Sequence, residues 1–182
     1  MVDVVRLFVD RVETPIGTML IAADAEDRLR VADWSDYEPR LLSLLRQHYG
    51  ERGFAAEPAR DPGGHSSALA AYFSGDLAAI DALPVATAGT EFQRAVWAAL
   101  REIPCGTTIS YAELARRIGR PSAVRAVGLA NGANPVGVVV PCHRVVGSNG
   151  TLTGYGGGLD RKRWLLAHEG ALREGRSLPF AP

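Results

Sequence analysis

The sequence predicts two domains of different class. An α+β N-terminal domain, a small antiparallel sheet with helices, occupies residues 1–88, and a mostly α C-terminal domain with a winged-helix-like helix-turn-helix occupies residues 89–182. Three observations carry this division. Short valine-rich segments separated by turn residues fill the first part of the chain, whereas apolar residues at helical spacing behind capping residues dominate after Gly89. Between them, Ile80 to Gly89, with Pro84 and Gly89, has the composition of a linker. Charge divides at the same place: residues 1–88 carry 8 arginines against 14 acids, a net of −6, and residues 89–182 carry 12 basic against 6 acidic residues, a net of +6.

The chain has 182 residues, 22% charged and 47% hydrophobic, the make-up of a globular protein with a core. No apolar run approaches the roughly 18 residues that a bilayer span needs, and no charged-then-apolar leader opens the chain, so a cytoplasmic protein without membrane association is expected. Cys105 and Cys142 are too few for a disulfide framework or a four-cysteine zinc site. The basic half fits a polyanion, because phosphate affinity rests on Arg and Lys displacing counterions; two independently solvated faces fit the same charges.

Taken in order, Val4 to Val12 and Thr18 to Ala23 read as strands, and Thr14-Pro15-Ile16-Gly17 supplies the turn of a hairpin. Leu29 to Trp34 adds a third strand after the acidic turn Asp24 to Asp27. Leu41, Leu42, Leu44, Leu45 and Tyr49 cluster at helical spacing behind Pro39, Glu51 to Gly64 is loop-like, and Ala68 to Phe73 is a short helix. His48 and His65 stand alone and read as solvated side chains.

Thr90-Glu91-Phe92-Gln93 fits a capping box, and Phe92, Ala95, Val96, Ala99, Leu100 and Ile103 form the apolar face of the helix behind it, which stops at Pro104-Cys105-Gly106. Cys105, with no histidine or base beside it, reads as a small filler. Ser110-Tyr111-Ala112-Glu113 is a second capping box, opening a helix through Ile118 with Ala112, Leu114, Ala115 and Ile118 inward. After Gly119-Arg120-Pro121 a further helix starts at Pro121 or Ser122, with Ala123, Ala126, Val127 and Ala130 inward and Arg125 on another face. Two short helices around a Gly-containing turn of three or four residues fit a DNA-binding helix-turn-helix, although many plain helical hairpins share the pattern.

Val138 to Val146 then reads as a buried strand interrupted by Pro141-Cys142-His143-Arg144. Polar residues opposing local propensity concentrate at functional sites, and a thiol beside an imidazole is a nucleophile beside its activator. In a regular strand Cys142 and His143 point to opposite faces, so a bend at Pro141 or a bridging water is required. Glu169 and Glu113 are the carboxylates of the basic half available to orient the histidine. Asn149-Gly150 signals a hairpin, and Gly154 to Gly158 is a permissive loop without phosphate-binding spacing. Asp160 caps a last helix through Glu169, whose first-turn bases Arg161, Lys162 and Arg163 oppose the helix dipole; either an anion lies there or the face is solvated. Residues 170–182 read as a loose tail. On the residues alone, a noncatalytic helix-turn-helix module and a Cys/His hydrolase remain open beside a single-use nucleophile.

The motifs Gly89-Thr90-Glu91-Phe92-Gln93, Val96-Trp97, Ile103-Pro104-Cys105-Gly106, Ser110-Tyr111, Ala123-Val124-Arg125-Ala126-Val127, Asn134-Pro135, Pro141-Cys142-His143-Arg144-Val145 and Gly154-Tyr155 together resemble the O6-alkylguanine-DNA alkyltransferases. The resemblance runs from about Gly89 to Gly170, and Thr14-Pro15-Ile16-Gly17 resembles the start of the family's N-terminal domain. It implies direct-reversal DNA repair: irreversible transfer of a methyl or other alkyl group from O6 of guanine, and less efficiently O4 of thymine, to Cys142, in a single turnover. It further implies that His143 is the base acting through a water, that Glu169 orients it and that Asn134 supports the adjoining turn. Arg125 fills the stack left by a flipped nucleotide, Tyr111 presses on its phosphate, Tyr155 hydrogen-bonds the departing guanine and Val145 lines the pocket, with the helix-turn-helix in the minor groove. The partner implied is double-stranded DNA containing O6-alkylguanine, met by a monomer, with cooperative assembly on DNA left open. Neither metal nor cofactor is expected, because the zinc ligands of some members are not identifiable here.

Overall fold

In the computed structural model, which describes residues 4–50 and 53–172, the strand β1 (Val5–Thr14) is the spine of the first of two units, Met1–Gly89 and Thr90–Pro182. Its antiparallel neighbour is β2 (Gly17–Ala23), and β2 pairs in turn with β3 (Leu29–Trp34). The hairpin closes through Thr14, whose hydroxyl donates to Gly17 O at 2.5 Å and accepts from Ile16 N at 3.2 Å. The sheet is mixed, not purely antiparallel: β4 (Phe54–Pro58), inside the segment expected as loop, runs parallel to β1 on its other side. A short edge strand ending in proline buries little, so it leaves no alternating pattern to read. The helix α1 (Glu38–Tyr49) adds Leu41 and Leu45 to a core with Leu7, Leu20, Ala22 and Val31.

The next helix, α2 (His65–Phe73), begins earlier than expected. His65 is not solvated: it is fully buried, and Nε2 donates to Asp27 O at 2.7 Å. His48 is half-buried, and burial pushes its imidazole down. The linker-like segment is tied to the sheet, with Leu29 N donating to Pro84 O at 2.7 Å and Ala86 N to Leu29 O at 3.1 Å.

In the second unit, α3 (Glu91–Arg101) has the complete capping box, Gln93 N to the Thr90 hydroxyl at 3.2 Å and Thr90 N to Gln93 Oε1 at 2.9 Å. It packs on α4 (Tyr111–Arg117) and α5 (Val124–Gly132), and the Trp97 indole N–H fixes the pair by donating to Ala130 O at 2.9 Å. Ser110 caps α4, but Glu113 turns to Arg116 and Arg117 instead of completing the second box. Residues 118–123 join α4 to α5, a longer connection than predicted. Gly119 N bonds Arg116 O at 2.9 Å and Arg120 N bonds Ala115 O at 2.9 Å, so two residues go to the Schellman closure of α4 before the chain can turn. Ala95, Ala112 and Ala126, expected inward, are exposed; alanine is small enough to sit on either face. After the site loop, β6 (Val145–Val146) pairs in parallel with β5 (Ile109–Ser110). Asn149-Gly150 does make a turn, Gly147 N to Thr151 O at 2.9 Å, but no strand follows it among the described residues. The last helix, α6 (Leu159–His168), starts behind Gly158, with Asp160 inside its first turn instead of capping it. Of the expected tail, Ala171 is fully buried against Val146 and Leu166, and residues 173–182 lie outside the described residues.

Candidate active site

Of the valine run only Val145–Val146 is strand, and residues 138–144 are not. Their backbone bonds close on themselves: Val139 N reaches Gly137 O at 2.9 Å around Val138, whose φ is +71°, and Cys142 N reaches Val140 O at 2.8 Å around Pro141, at φ −81° and ψ 65°. These are a γ-turn and an inverse γ-turn, with Val140 N to Val136 O at 2.9 Å spanning the space between. The valines are there to be buried, and β-propensity records that fit to buried surroundings more than a backbone preference. A β-branched residue at positive φ costs on the order of 1–3 kcal/mol and persists only where its surroundings fix it. Asn134 supplies the fixing. Its Nδ2 donates to Val140 O and its Oδ1 accepts from Val136 N, both at 2.9 Å, so one side chain holds both ends of the turn that leads to the cysteine.

Cys142, His143 and Arg144 form a single 3-10 turn. Successive residues of such a turn lie about 120° apart, so the thiol and imidazole are not on opposite faces as a strand would place them. Cys142 is 7% exposed and His143 is fully buried. His143 Nε2 lies 2.9 Å from Glu169 Oε1, and Arg144 donates to the same carboxylate from Nε at 2.8 Å and Nη2 at 2.9 Å. Arg144 Nη1 donates to Ile103 O at 2.6 Å, tying the site to the end of α3. Burial works to raise the Glu169 carboxyl, but His143 and Arg144 outweigh it and hold the group well below the usual carboxylate range. Burial pushes His143 below the ordinary imidazole value; Glu169 opposes this, while Arg144 and Lys162 add to it. The result is a neutral imidazole against an ionised carboxylate. A carboxylate only accepts, so the proton is on Nε2 and Nδ1, which has no protein hydrogen-bond partner, carries the lone pair.

Glu169 reaches this position because α6 ends there. Gly170 N bonds Ala167 O at 3.0 Å and Ala171 N bonds Leu166 O at 2.8 Å, a Schellman closure with Gly170 at φ +75° and Ala171 packed on Leu166. Gly106, at φ +80°, lies so close that a Cβ there falls 3.0 Å from Glu169 O.

Lys162, read from the sequence as one of three bases facing either an anion or solvent, instead points inward. It is fully buried and donates from Nζ to Val145 O at 2.6 Å, Thr153 O at 3.1 Å and Gly154 O at 3.2 Å. Burial lowers it from 10.5 to about 8, and negative charge at Cys142 opposes that shift. Tyr111 is half-buried, with its hydroxyl donating to Thr153 O at 3.0 Å; burial first, and then Cys142, raise it. Val145 is fully buried, and the Tyr155 hydroxyl oxygen is buried at the glycine loop. The structure thus links His143 and Glu169 directly to the turn that carries Cys142, with Asn134 bracing that turn. Val145 and Tyr111 join through Lys162 and Thr153, whereas Arg125 is exposed on α5. The sequence pattern gave Arg144 no separate role and did not place Lys162 at the site. Arg144 could have been found as a third charge in an otherwise apolar run. Lys162 carries no such signal, because one buried lysine between two arginines on a helix looks like its neighbours.

Among the described residues no group of three or more His, Cys, Asp or Glu side chains is placed to hold a metal ion, and no helix is long and apolar enough to cross a membrane. Residues 91–171 match the family model of the 6-O-methylguanine DNA methyltransferase, DNA binding domain. A methylated-DNA–protein-cysteine methyltransferase of Salmonella typhimurium is 54% identical over 167 residues, spanning 92% of this chain and 98% of its own. One from Mycolicibacterium paratuberculosis is 48% identical over 160 residues, spanning 87% and 89%. The crystal structure of Mycobacterium tuberculosis O6-methylguanine methyltransferase aligns with a TM-score of 0.72 at 39% identity, covering 93% of this chain and 96% of that one. That organism's OGT in complex with DNA aligns at 0.71 and 38% identity, covering 91% and 92%.

Proposed function

The chain belongs to the methylated-DNA–protein-cysteine methyltransferase family, and from that premise we propose how its own residues perform the transfer. The protein repairs DNA by direct reversal, binding DNA and moving a methyl group from O6 of guanine to a cysteine of its own. The cysteine is Cys142. The observation that supports this is the turn it shares with a neutral His143 whose Nε2 proton is committed to ionised Glu169, which leaves Nδ1 as the proton acceptor.

The thiol proton passes through a water to His143 Nδ1, and the sulfur attacks the methyl carbon. The C–O6 bond breaks, its electrons stay with guanine, the guanine takes up a proton that balances the one lost by the thiol, and the repaired base, still bonded to its strand, leaves the pocket. Tyr155 hydrogen-bonds that leaving base and Val145 forms the pocket wall. Lys162 holds the wall to the glycine loop and sets a positive charge near the sulfur. A base within a duplex cannot reach a thiol that is 7% exposed, so the nucleotide is extruded, at a cost of a few kcal/mol. α5 enters the minor groove, Arg125 fills the vacated stack and Tyr111 meets the flipped nucleotide's phosphate. The thioether product is not cleaved by water, so each molecule acts once. O6-alkylguanines larger than methyl and, less efficiently, O4-alkylthymine are accepted by the same chemistry. Residues 1–88 act as a scaffold, residues 89–182 carry binding and transfer, and the protein works in the cytoplasm as a monomer.

Excess duplex containing O6-methylguanine tests this directly. The wild type repairs one lesion per molecule and Cys142→Ser repairs none while still binding the duplex. Repair by the serine variant, or repeated turnover by the wild type, overturns the assignment.

A further inference from the structure

On α5, Arg125 and Leu129 stand one helical turn apart, at i and i+4, and therefore project from one face. Leu129 is 71% exposed, more than any other large hydrophobic residue described, and Val124 at the start of the same helix is 37% exposed. Ala126 and Gly132 complete the exposed side without projecting, while Val127, Ala130 and Asn131 are buried on the other. A lone exposed leucine is ordinary. This one differs in lying beside Arg125, on the helix assigned to DNA, in the half of the chain with a net charge of +6.

We propose that Leu129 is a DNA-contacting residue, seating its side chain against the apolar sugar edges of the minor groove one turn from Arg125. The inference rests on the reading of α5 as the DNA-facing helix. Duplex DNA is the occupant because the neighbouring cation and the charge of this unit fit a polyanion and would repel a second copy of the same basic face. Minor-groove proteins combine arginine with apolar side chains, the arginine drawn by the negative potential of the groove and the apolar group adding buried contact with the DNA.

The two contacts differ in their response to salt. A contact that neutralises phosphate releases counterions and sets the slope of log affinity against log salt; an apolar contact shifts affinity equally at every salt concentration. Duplex affinity is therefore measured by fluorescence anisotropy over a salt series for the wild type, Leu129→Ala, Leu129→Met and Arg125→Ala. Leu129→Ala is expected to weaken binding about tenfold at every salt concentration with the slope unchanged, as loss of one partly buried leucine contact implies. Leu129→Met restores most of that loss. Arg125→Ala lowers the slope by about one. Because Leu129 is exposed, its substitution leaves the melting temperature and the reaction with free O6-alkylguanine base unchanged. Wild-type affinity in Leu129→Ala, or a changed slope, overturns the proposal, as does a wild-type dimer that Leu129→Ala dissociates in sedimentation. Should Arg125→Ala also bind with unchanged affinity and slope, the assignment of α5 to DNA fails; when only Leu129→Ala is silent, that assignment stands and the leucine contact alone is lost.

Discussion

Replacing Glu169 by glutamine removes one charge and almost no volume, and the hydrogen-bond geometry sets the cost. The carboxylate accepts three N–H groups, from His143 Nε2, Arg144 Nε and Arg144 Nη2. Glutamine has one acceptor oxygen. With its amide nitrogen at the Oε2 position it faces Arg144 Nε, and at the Oε1 position it faces His143 Nε2 and Arg144 Nη2; both orientations set donor against donor. The buried guanidinium keeps its bond to the neutral Ile103 O but loses its charged acceptor. Breaking a buried pair from one side costs about 3–5 kcal/mol, against about 0–1 kcal/mol for an exposed pair. Urea unfolding of Glu169→Gln at neutral pH should show the larger loss, and its transfer rate should fall about a hundredfold or more as the histidine loses its fixed tautomer. The sign with pH comes from the depressed carboxyl. Its contribution is complete above the ordinary value of 4.5 and is lost as pH falls below it, so the gap between wild type and variant narrows in acid. A stability loss under about 1 kcal/mol, or a gap that widens in acid, would refute the reasoning.

Lys162→Met tests the opposite end of the pH scale. The folded chain releases the Lys162 proton near pH 8, whereas the unfolded chain holds it to about 10.5, so wild-type stability should rise with pH between these values; the rise should vanish in the variant, as denaturant titrations across that range will show. Gly170→Ala introduces no clash, because nothing lies within 4 Å of the added Cβ, and should cost only the left-handed conformation, about 1–2 kcal/mol by thermal melting. Gly106→Ala should cost more, since its Cβ also meets Glu169 O at 3.0 Å. Arg125→Ala, at an exposed position, should leave stability unchanged and slow repair in duplex DNA more than reaction with free O6-alkylguanine; equal losses in the two rate measurements remove its role in the stack.

Where the chain signals its own local structure, the sequence was readable. Thr90 with Gln93, the Thr14 turn and the three antiparallel strands all depend on neighbours within a few residues, and all formed as their patterns imply. The valine run misled because burial and β-propensity look alike in sequence. Asn134 braces the γ-turns that replace the strand, and the 3-10 turn that follows takes His143 off the face opposite Cys142. His65 and Lys162 were misread for a related reason. Each finds backbone carbonyls distant in sequence, Asp27 for one and Val145 for the other, and composition carries no trace of such partners. β4 escaped because a strand at a sheet edge needs no alternating face. Cys142 and His143 stood out because polar groups in apolar surroundings are rare without a purpose, whereas the residues alone left Glu169 and Glu113 both open, and it is Glu169 that lies against His143.

On the function proposed above, the Cys142 sulfur keeps the methyl group. After incubation with excess duplex containing O6-methylguanine, the intact mass of the protein and the masses of its proteolytic peptides test this in one experiment. The expected result is one added methyl per chain, confined to the peptide containing Cys142, and a count of repaired lesions that never exceeds the count of protein molecules. A methyl on Cys105 or any other residue, or an unmodified protein that has repaired many lesions, would contradict it.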